Sequence, residues 1–188
     1  MLLSRFSNLL VSFETMILKC LMAGVLGLIL LNVVTRSMSY AIYWVDEAAI
    51  YCMIWLVFVG SSVGIRKRQR IAVTLLFDAV PEKIRQILDI IIDGIIVIFA
   101  AFFIWVTWIW YDPLVLAEVG FNTESFAEET FNFIYDEPTN TVGIRKFWIW
   151  LILPVFGVTI FIHGLTNFYE TLFHKQEKSD HPLTEGLD

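Results

Sequence analysis

Four stretches of this chain are nearly free of charge, and they restrict it to one kind of fold. Thr15 to Val34 is 20 residues with a single charge, Lys19; Ala48 to Ile65 and Gly94 to Tyr111 are 18 residues each with none; Phe147 to Tyr169 is 23 with none. Each approaches the ~20 apolar residues that carry a helix across the hydrocarbon core of a bilayer. Composition agrees: 57% of the residues are hydrophobic and 17% charged, against about 45–50% and about 25% in soluble domains. The chain reads as an all-α integral membrane protein with four transmembrane helices at about 13–35, 46–65, 84–111 and 147–170. These form one membrane domain over 1–172, followed by a polar, mixed-charge tail, 173–188, expected to be disordered.

The net charge of −6 conceals a segregation of acids from bases that sets the orientation. The loop between spans two and three carries Arg66, Lys67, Arg68, Arg70, Lys83 and Arg85, and on the same side lie Arg5, Lys175 and Lys178. The other side holds Arg36, Arg145 and Lys146. The positive-inside bias places both termini and the second loop in the cytoplasm, with the first and third loops outside. No A-x-A-like cleavage site follows the first apolar run, so it is read as an uncleaved helix.

The connecting pieces have patterns of their own. Leu2, Leu3, Phe6, Leu9, Leu10 and Phe13 form a helical apolar stripe, either the start of a long tilted first span or a separate interfacial helix over about 2–12. Ile71, Leu75, Leu76, Ala79 and Val80 predict a second interfacial helix over about 70–80. Pro81 suits the first position of the third helix, with Glu82 favourable near its positive dipole end. The third loop, 112–146, interleaves acids with Phe121, Phe126, Phe131, Phe133 and Tyr135, and reads as an ordered cap on its own helices or as a partner surface. Ser125 with Glu128 predicts a capped helix near 125–134.

Polar groups inside a membrane are functional candidates by default. Asp89 and Asp93, one helical turn apart, could serve a cation site or a proton relay; the favoured reading is that they face water or pair with the basic loop Arg66 to Arg85. Glu14 and Lys19 lie near the inner end of span one, where Lys19 can snorkel to the headgroups. His163 is the only histidine in a span, too few for haem ligation, and reads as a hydrogen-bonded packing residue. Cys20 and Cys52 are isolated within spans, which excludes a disulfide framework and a membrane disulfide oxidoreductase. No H-E-x-x-H, Walker loop or G-x-S-x-G occurs, and no enzyme, metal or cofactor is expected. Gly60-Ser-Ser-Val-Gly64 and the Ala23, Gly24, Gly27 group are small-residue faces suited to close helix approach. Trp105, Trp108, Trp110, Trp148 and Trp150 gather near the outer interface as belt anchors or partner contacts.

Residues 32–81 carry a more specific pattern: Asn32-Val-Val-Thr-Arg36, Trp44-Val-Asp-Glu47, Tyr51, Trp55-Leu56, Gly60, Gly64, the basic cluster, Ile71-Ala-Val73 and Pro81. This resembles the small membrane subunit of tripartite ATP-independent periplasmic (TRAP) transporters, the DctQ/SiaQ-like family, over roughly 13–172. Arg70 stands where that family often has histidine, and Ile50 where a basic residue is frequent.

The resemblance implies an accessory subunit of a sodium-driven transporter for organic acids, such as sialic acid or C4-dicarboxylates, in a bacterial inner membrane. Its implied partners are a large membrane subunit, a periplasmic substrate-binding protein and membrane lipids, with no nucleic acid. Arg36, Trp44, Glu47, Tyr51, Trp55, Gly60 and Gly64 would face partners, and Arg66, Lys67, Arg68 and Arg70 would form a membrane-surface basic loop. Glu47 is expected at headgroup level or paired with Arg36, acting in assembly or folding rather than in substrate affinity. The polar tail suggests a separate small subunit. The competing class is a self-sufficient small proton- or cation-coupled transporter using Glu14, Asp89 or Asp93, loosely like the small multidrug exporters.

Overall fold

The computed structural model describes residues 2–68 and 81–173, and among these the regular elements are all helical. The expected interfacial helix at 70–80, with Arg70, and the tail after Phe173 lie outside the described residues. Helix α1 runs Leu2–Ser37 and α2 runs Tyr43–Arg66. Helix α3 is Glu82–Tyr111, and α4 (Pro113–Glu118) and α5 (Thr123–Thr130) lie in the third loop. The last span is α6 (Phe147–Trp150) followed after Leu151 by α7 (Ile152–Phe173). Four of these stretches are long and apolar enough to cross a membrane.

Several expected boundaries move. No separate interfacial helix exists at 2–12, because α1 is continuous for 36 residues, about 54 Å at 1.5 Å per residue. Residues 2–22 contain no glycine or proline to break it. Pro81 is not the first helical residue but the cap before it: φ −59° and ψ 150° leave its carbonyl to accept from Ile84 N and Arg85 N. The loop helix starts earlier than expected, since Asn122 rather than Ser125 caps it, accepting from the amides of Glu124 and Ser125.

Helix α7 is the hub. It packs along α3 and against α2, while α1 pairs mainly with α2. Two glycines set the closest approach: a Cβ at Gly157 would come within 3.0 Å of Ile104 Cγ1, and one at Gly164 within 3.0 Å of Ile96 Cγ2. Beside them Phe156, Ile160 and Ala100 form a buried cluster, with Phe58 and Phe103 set edge-on to Phe156 at ring separations of 5.0 and 5.6 Å. Edge-to-face geometry at these separations is the preferred aromatic arrangement.

The third loop is an ordered cap with its own core. Phe126, Ile134, Tyr135 and Tyr111 are buried together, flanked by Phe147 and Trp150. Tyr135 Oη donates to Tyr111 O (2.6 Å), and Asn132 Nδ2 donates to Trp110 O (2.6 Å), closing the last turn of α3. Burial, with Asp112 nearby, pushes the Tyr135 phenol above its ordinary value, so it keeps the proton it donates. Asp112 adopts a left-handed conformation (φ 38°) that ends α3, and its side chain accepts from Val115 N to start α4. The loop aromatics therefore divide: Phe126 and Tyr135 build the cap, while Phe121, Phe131 and Phe133 remain exposed.

Candidate functional site

The polar side chains of the spans gather in two layers. At the cap end, Asn32 and Arg36 of α1 both reach Asp46 of α2, the arginine at 2.6 Å. Of the two expectations for Glu47, headgroup level or pairing with Arg36, the pairing does not form, because Asp46, one residue earlier on α2, takes the guanidinium. Glu47 instead turns to the third loop. Its Oε1 accepts from Tyr51 Oη (2.6 Å) and Asn140 N (2.8 Å); its Oε2 accepts from Thr141 N and Oγ1 (2.5 Å each) and Val142 N (3.0 Å).

The captured segment is a tight turn. Thr139 N donates to Ile144 O (2.7 Å), Lys146 N donates to Glu137 O (2.8 Å), and Gly143 takes φ +79°, a conformation that glycine adopts without a Cβ penalty. Three consecutive amides on one carboxylate form an anion-holding concavity of the nest type. Two turns along α2, Trp55 Nε1 donates to Ile149 O (2.9 Å), next to the break at Leu151. Glu47, Tyr51 and Trp55 therefore latch the cap and the start of the last span onto α2.

The second layer lies at the opposite end. His163 on α7 is fully buried, with Nδ1 2.7 Å from Ser7 Oγ and Nε2 3.0 Å from Glu14 Oε2, both on α1. Ser62 Oγ on α2 stands between Glu14 Oε1 (2.8 Å) and Thr159 Oγ1 (2.9 Å). This network joins three helices, and its carboxylate is 5% exposed. The reading of His163 as a hydrogen-bonded packing residue matches this geometry.

Next to this network Arg66 and Arg68 are held by side chains of the bundle. Arg66 donates to Glu170 (2.8 and 3.0 Å), Asn8 (2.7 and 3.2 Å) and Asn167 (2.6 Å). Arg68, at φ 50°, donates to Asp93 (3.0 Å), Asn167 O (2.8 Å) and Thr171 (2.5 Å), and Thr171 donates to Asp93 (2.7 Å). Pairing of the span-three acids with the basic loop is thus realised at Asp93. Asn167 Nδ2 closes the end of α2 by donating to Ile65 O (2.7 Å). Lys67, between the two arginines, stays exposed.

The remaining expected residues separate as well. Trp44 is exposed at the start of α2. Gly60 is turned to α1, where an added Cβ would touch Leu18 at 3.5 Å. Gly64 faces open space in a cleft of about 320 Å³, lined also by Ser61 and Ile65 of α2, by Arg68 just beyond it, and by Ile92, Asp93 and Ile96 of α3. Gly24 and Gly27 also face open space. Cys20 and Cys52 are free thiols.

Residues not anticipated are Ser7, Asn8, Ser62, Thr159, Asn167, Glu170 and Thr171. Their signal is a polar file on one face of α7, Thr159, His163, Asn167 and Glu170, at spacings of three and four. Among the described residues no group of three or more His, Cys, Asp or Glu could hold a metal ion.

The architecture and polar layers can be set beside known proteins. Residues 25–174 match the family model described as Tripartite ATP-independent periplasmic transporters, DctQ component. The chain is similar to the sialic acid TRAP transporter permease protein SiaT of Haemophilus influenzae (strain 86-028NP), 22% identical over 166 residues, 87% of this chain and 23% of that protein. It is also similar to the C4-dicarboxylate TRAP transporter small permease protein DctQ of Vibrio cholerae serotype O1 (strain ATCC 39315 / El Tor Inaba N16961), 22% identical over 122 residues, 64% of this chain and 53% of that protein. The chain therefore spans about a quarter and about half the length of these curated relatives. With the family match covering most of its length and four membrane-length helices, the chain belongs to the DctQ-component family of TRAP transporters and is a multi-pass protein of the bacterial inner membrane.

Proposed function

We propose that this chain is the accessory small subunit of a sodium-driven TRAP transporter for organic acids, the relatives' names pointing to sialic acid or C4-dicarboxylates. It packs on the scaffold of a large membrane subunit, with both termini cytoplasmic and the 112–146 cap in the periplasm. There it helps to dock a periplasmic substrate-binding protein. Its faces for these partners are the open helix flanks at Gly24, Gly27 and Gly64, the outer corner at Arg36 and Trp44, and the exposed cap aromatics Phe121, Phe131 and Phe133. Glu47, Tyr51 and Trp55 contribute indirectly, by holding the cap in place.

The observation that carries this reading is where the membrane acids point. Glu14 is spent on Ser62 and His163, and Asp93 on Arg68 and Thr171. A coupling site needs a carboxylate that can exchange its partner for an ion or a proton from water, and both of these are built into helix contacts. Meanwhile only 6% of the most apolar window of α1 is buried within the chain, against 50% for the last span, so the exterior is made for lipid and protein neighbours.

The test is to tag the chain in its native membrane, solubilise it gently and weigh the complex. Recovery of one large polytopic protein at equal stoichiometry is the expected result. A chain that runs alone or as a homodimer and transports when reconstituted would establish the self-sufficient transporter instead.

A further inference from the structure

At the arginine end of the bundle Arg66, Arg68, Lys19 and Lys67 fall into two kinds. Arg66 and Arg68 are consumed by Glu170, Asp93 and their neighbours. Lys19 and Lys67 are exposed and, among the described residues, neither ammonium meets a carboxylate or a hydrogen-bond acceptor. These two lysines line one groove of about 460 Å³ between α1 and the end of α2, together with Val11, Ser12, Thr15 and Met16.

The depth of this groove follows from the two polar layers. The Asn32–Asp46 contact and the Glu14–Ser62 contact are eighteen residues apart on α1 and sixteen on α2, about 24–27 Å at 1.5 Å per residue. A hydrocarbon core is ~30 Å thick, so the Glu14–Ser62 layer lies close to one edge of it. Lys19 is rooted five residues deeper in the core and is the one charge between Thr15 and Val34. Side chains on a helix lean toward its N-terminus, which aims the Lys19 ammonium back to the edge where Lys67 emerges. An ammonium there needs a counter-anion, and the described protein supplies none.

We propose that this groove binds the phosphate headgroup of an anionic phosphoglycerolipid. Lys19 and Lys67 hold the phosphate between them, the Ser12 hydroxyl donates to it, and Val11 and Met16 flank the acyl chains. Thr15 is a spacer, because its hydroxyl already donates to Val11 O (2.6 Å). The occupant is a lipid rather than free phosphate because Val11 and Met16 put apolar walls beside the lysines at the depth worked out above. A zwitterionic lipid fits less well, since its own ammonium competes with Lys19 and Lys67 for the phosphate.

Native mass spectrometry of the full chain in detergent, titrated with phosphatidylglycerol or phosphatidylethanolamine, tests this. The expected result is one phosphatidylglycerol held in preference to phosphatidylethanolamine. Affinity should fall about fivefold in Lys19→Gln or Lys67→Gln and about 25-fold in the double variant, from about 1 kcal/mol per lysine near an anionic surface. Arg145→Gln, at the opposite end of the bundle, removes the same charge and should leave binding unchanged. Equal binding of the two lipids, equal losses in the Arg145 control, or displacement of the lipid by millimolar inorganic phosphate would each overturn the proposal, the last by making the site one for free anions.

Discussion

Removing His163 should cost this fold more than removing Glu14, although the two share a hydrogen bond. In His163→Leu the Glu14 carboxylate, 5% exposed, keeps Ser62 as its one described donor. Breaking a buried charged pair by deleting one partner costs about 3–5 kcal/mol. In Glu14→Leu the imidazole retains Ser7 on Nδ1 and loses its partner on Nε2, while Ser62 still has Thr159. One unmade buried hydrogen bond costs about 1–3 kcal/mol. The double variant Glu14→Leu/His163→Leu removes both polar groups and should cost less than the sum of the single changes. Hydrogen bonds between neutral groups in membrane bundles couple by about 0.6 kcal/mol and at most about 1.7, whereas close charge pairs reach about 1.5–7 kcal/mol. A double-mutant cycle should therefore give a coupling above about 2 kcal/mol if the pair carries charge. Reversible unfolding of the full chain by SDS in mixed micelles, followed by tryptophan fluorescence, measures it. Additive single changes, or a Glu14→Leu loss equal to or greater than that of His163→Leu, would refute the reasoning.

The glycines give a second contrast under the same unfolding assay: Gly164→Val drives branched methyls into Ile96 and Val97, where the Cβ alone already stands at 3.0 and 3.4 Å, and should cost about 1–3 kcal/mol by overpacking. Gly24→Val, in open space within the chain, should change the stability of the isolated chain by less than about 0.5 kcal/mol yet lower the yield of any complex that packs on that flank. Glu47→Ala should release the 139–146 turn, read as faster amide exchange at Asn140, Thr141 and Val142 and quicker proteolysis of the cap, with Glu47→Gln intermediate because it retains acceptor oxygen. In the proposed transporter complex, Glu47→Ala should reduce recovery of the complex while the KM for substrate stays constant; an altered KM at full assembly would contradict the latch.

The spans were legible because a charge-free run of membrane length admits few alternatives, and the family pattern at 32–81 was legible because Trp44, Glu47 and the glycines keep recognisable spacings. What could not be read was which atoms those residues would meet. Glu47 finds its donors 93 to 95 residues away in a turn without a motif, and Asp46, not Glu47, takes Arg36. The inner network was hidden for another reason. Ser7, Ser62 and Thr159 are individually unremarkable in apolar helices, and only the three-helix packing around α7 brings them to Glu14 and His163. Gly157 and Gly164 have no motif-like spacing such as Gly60 and Gly64 show, yet it is the former pair that α3 packs against most closely.

Two kinds of cohesion meet in this chain, and where they meet bears on its role. Lipid tails are as apolar as leucine, so burial of apolar surface gives membrane helices no drive to associate, and they rely on close packing and hydrogen bonds. The bundle follows that logic: α1 leaves Leu2, Phe6, Leu9 and Phe13 outside while burying Ser7 and Glu14. The cap follows the aqueous logic, enclosing Phe126 and Tyr135 in an aromatic core. Glu47 joins them through a carboxylate on a membrane helix gripping backbone amides of the cap. A chain that ties Glu14 and Asp93 into helix contacts and fixes its cap through Glu47 keeps a constant outline, as the proposed accessory role requires. A carrier, by contrast, must let its binding groups change partners during each cycle. The bonds of Glu14, Asp93 and Glu47 each tie one element to another, and under the proposed role breaking any of them should loosen the bundle or its cap before it alters transport.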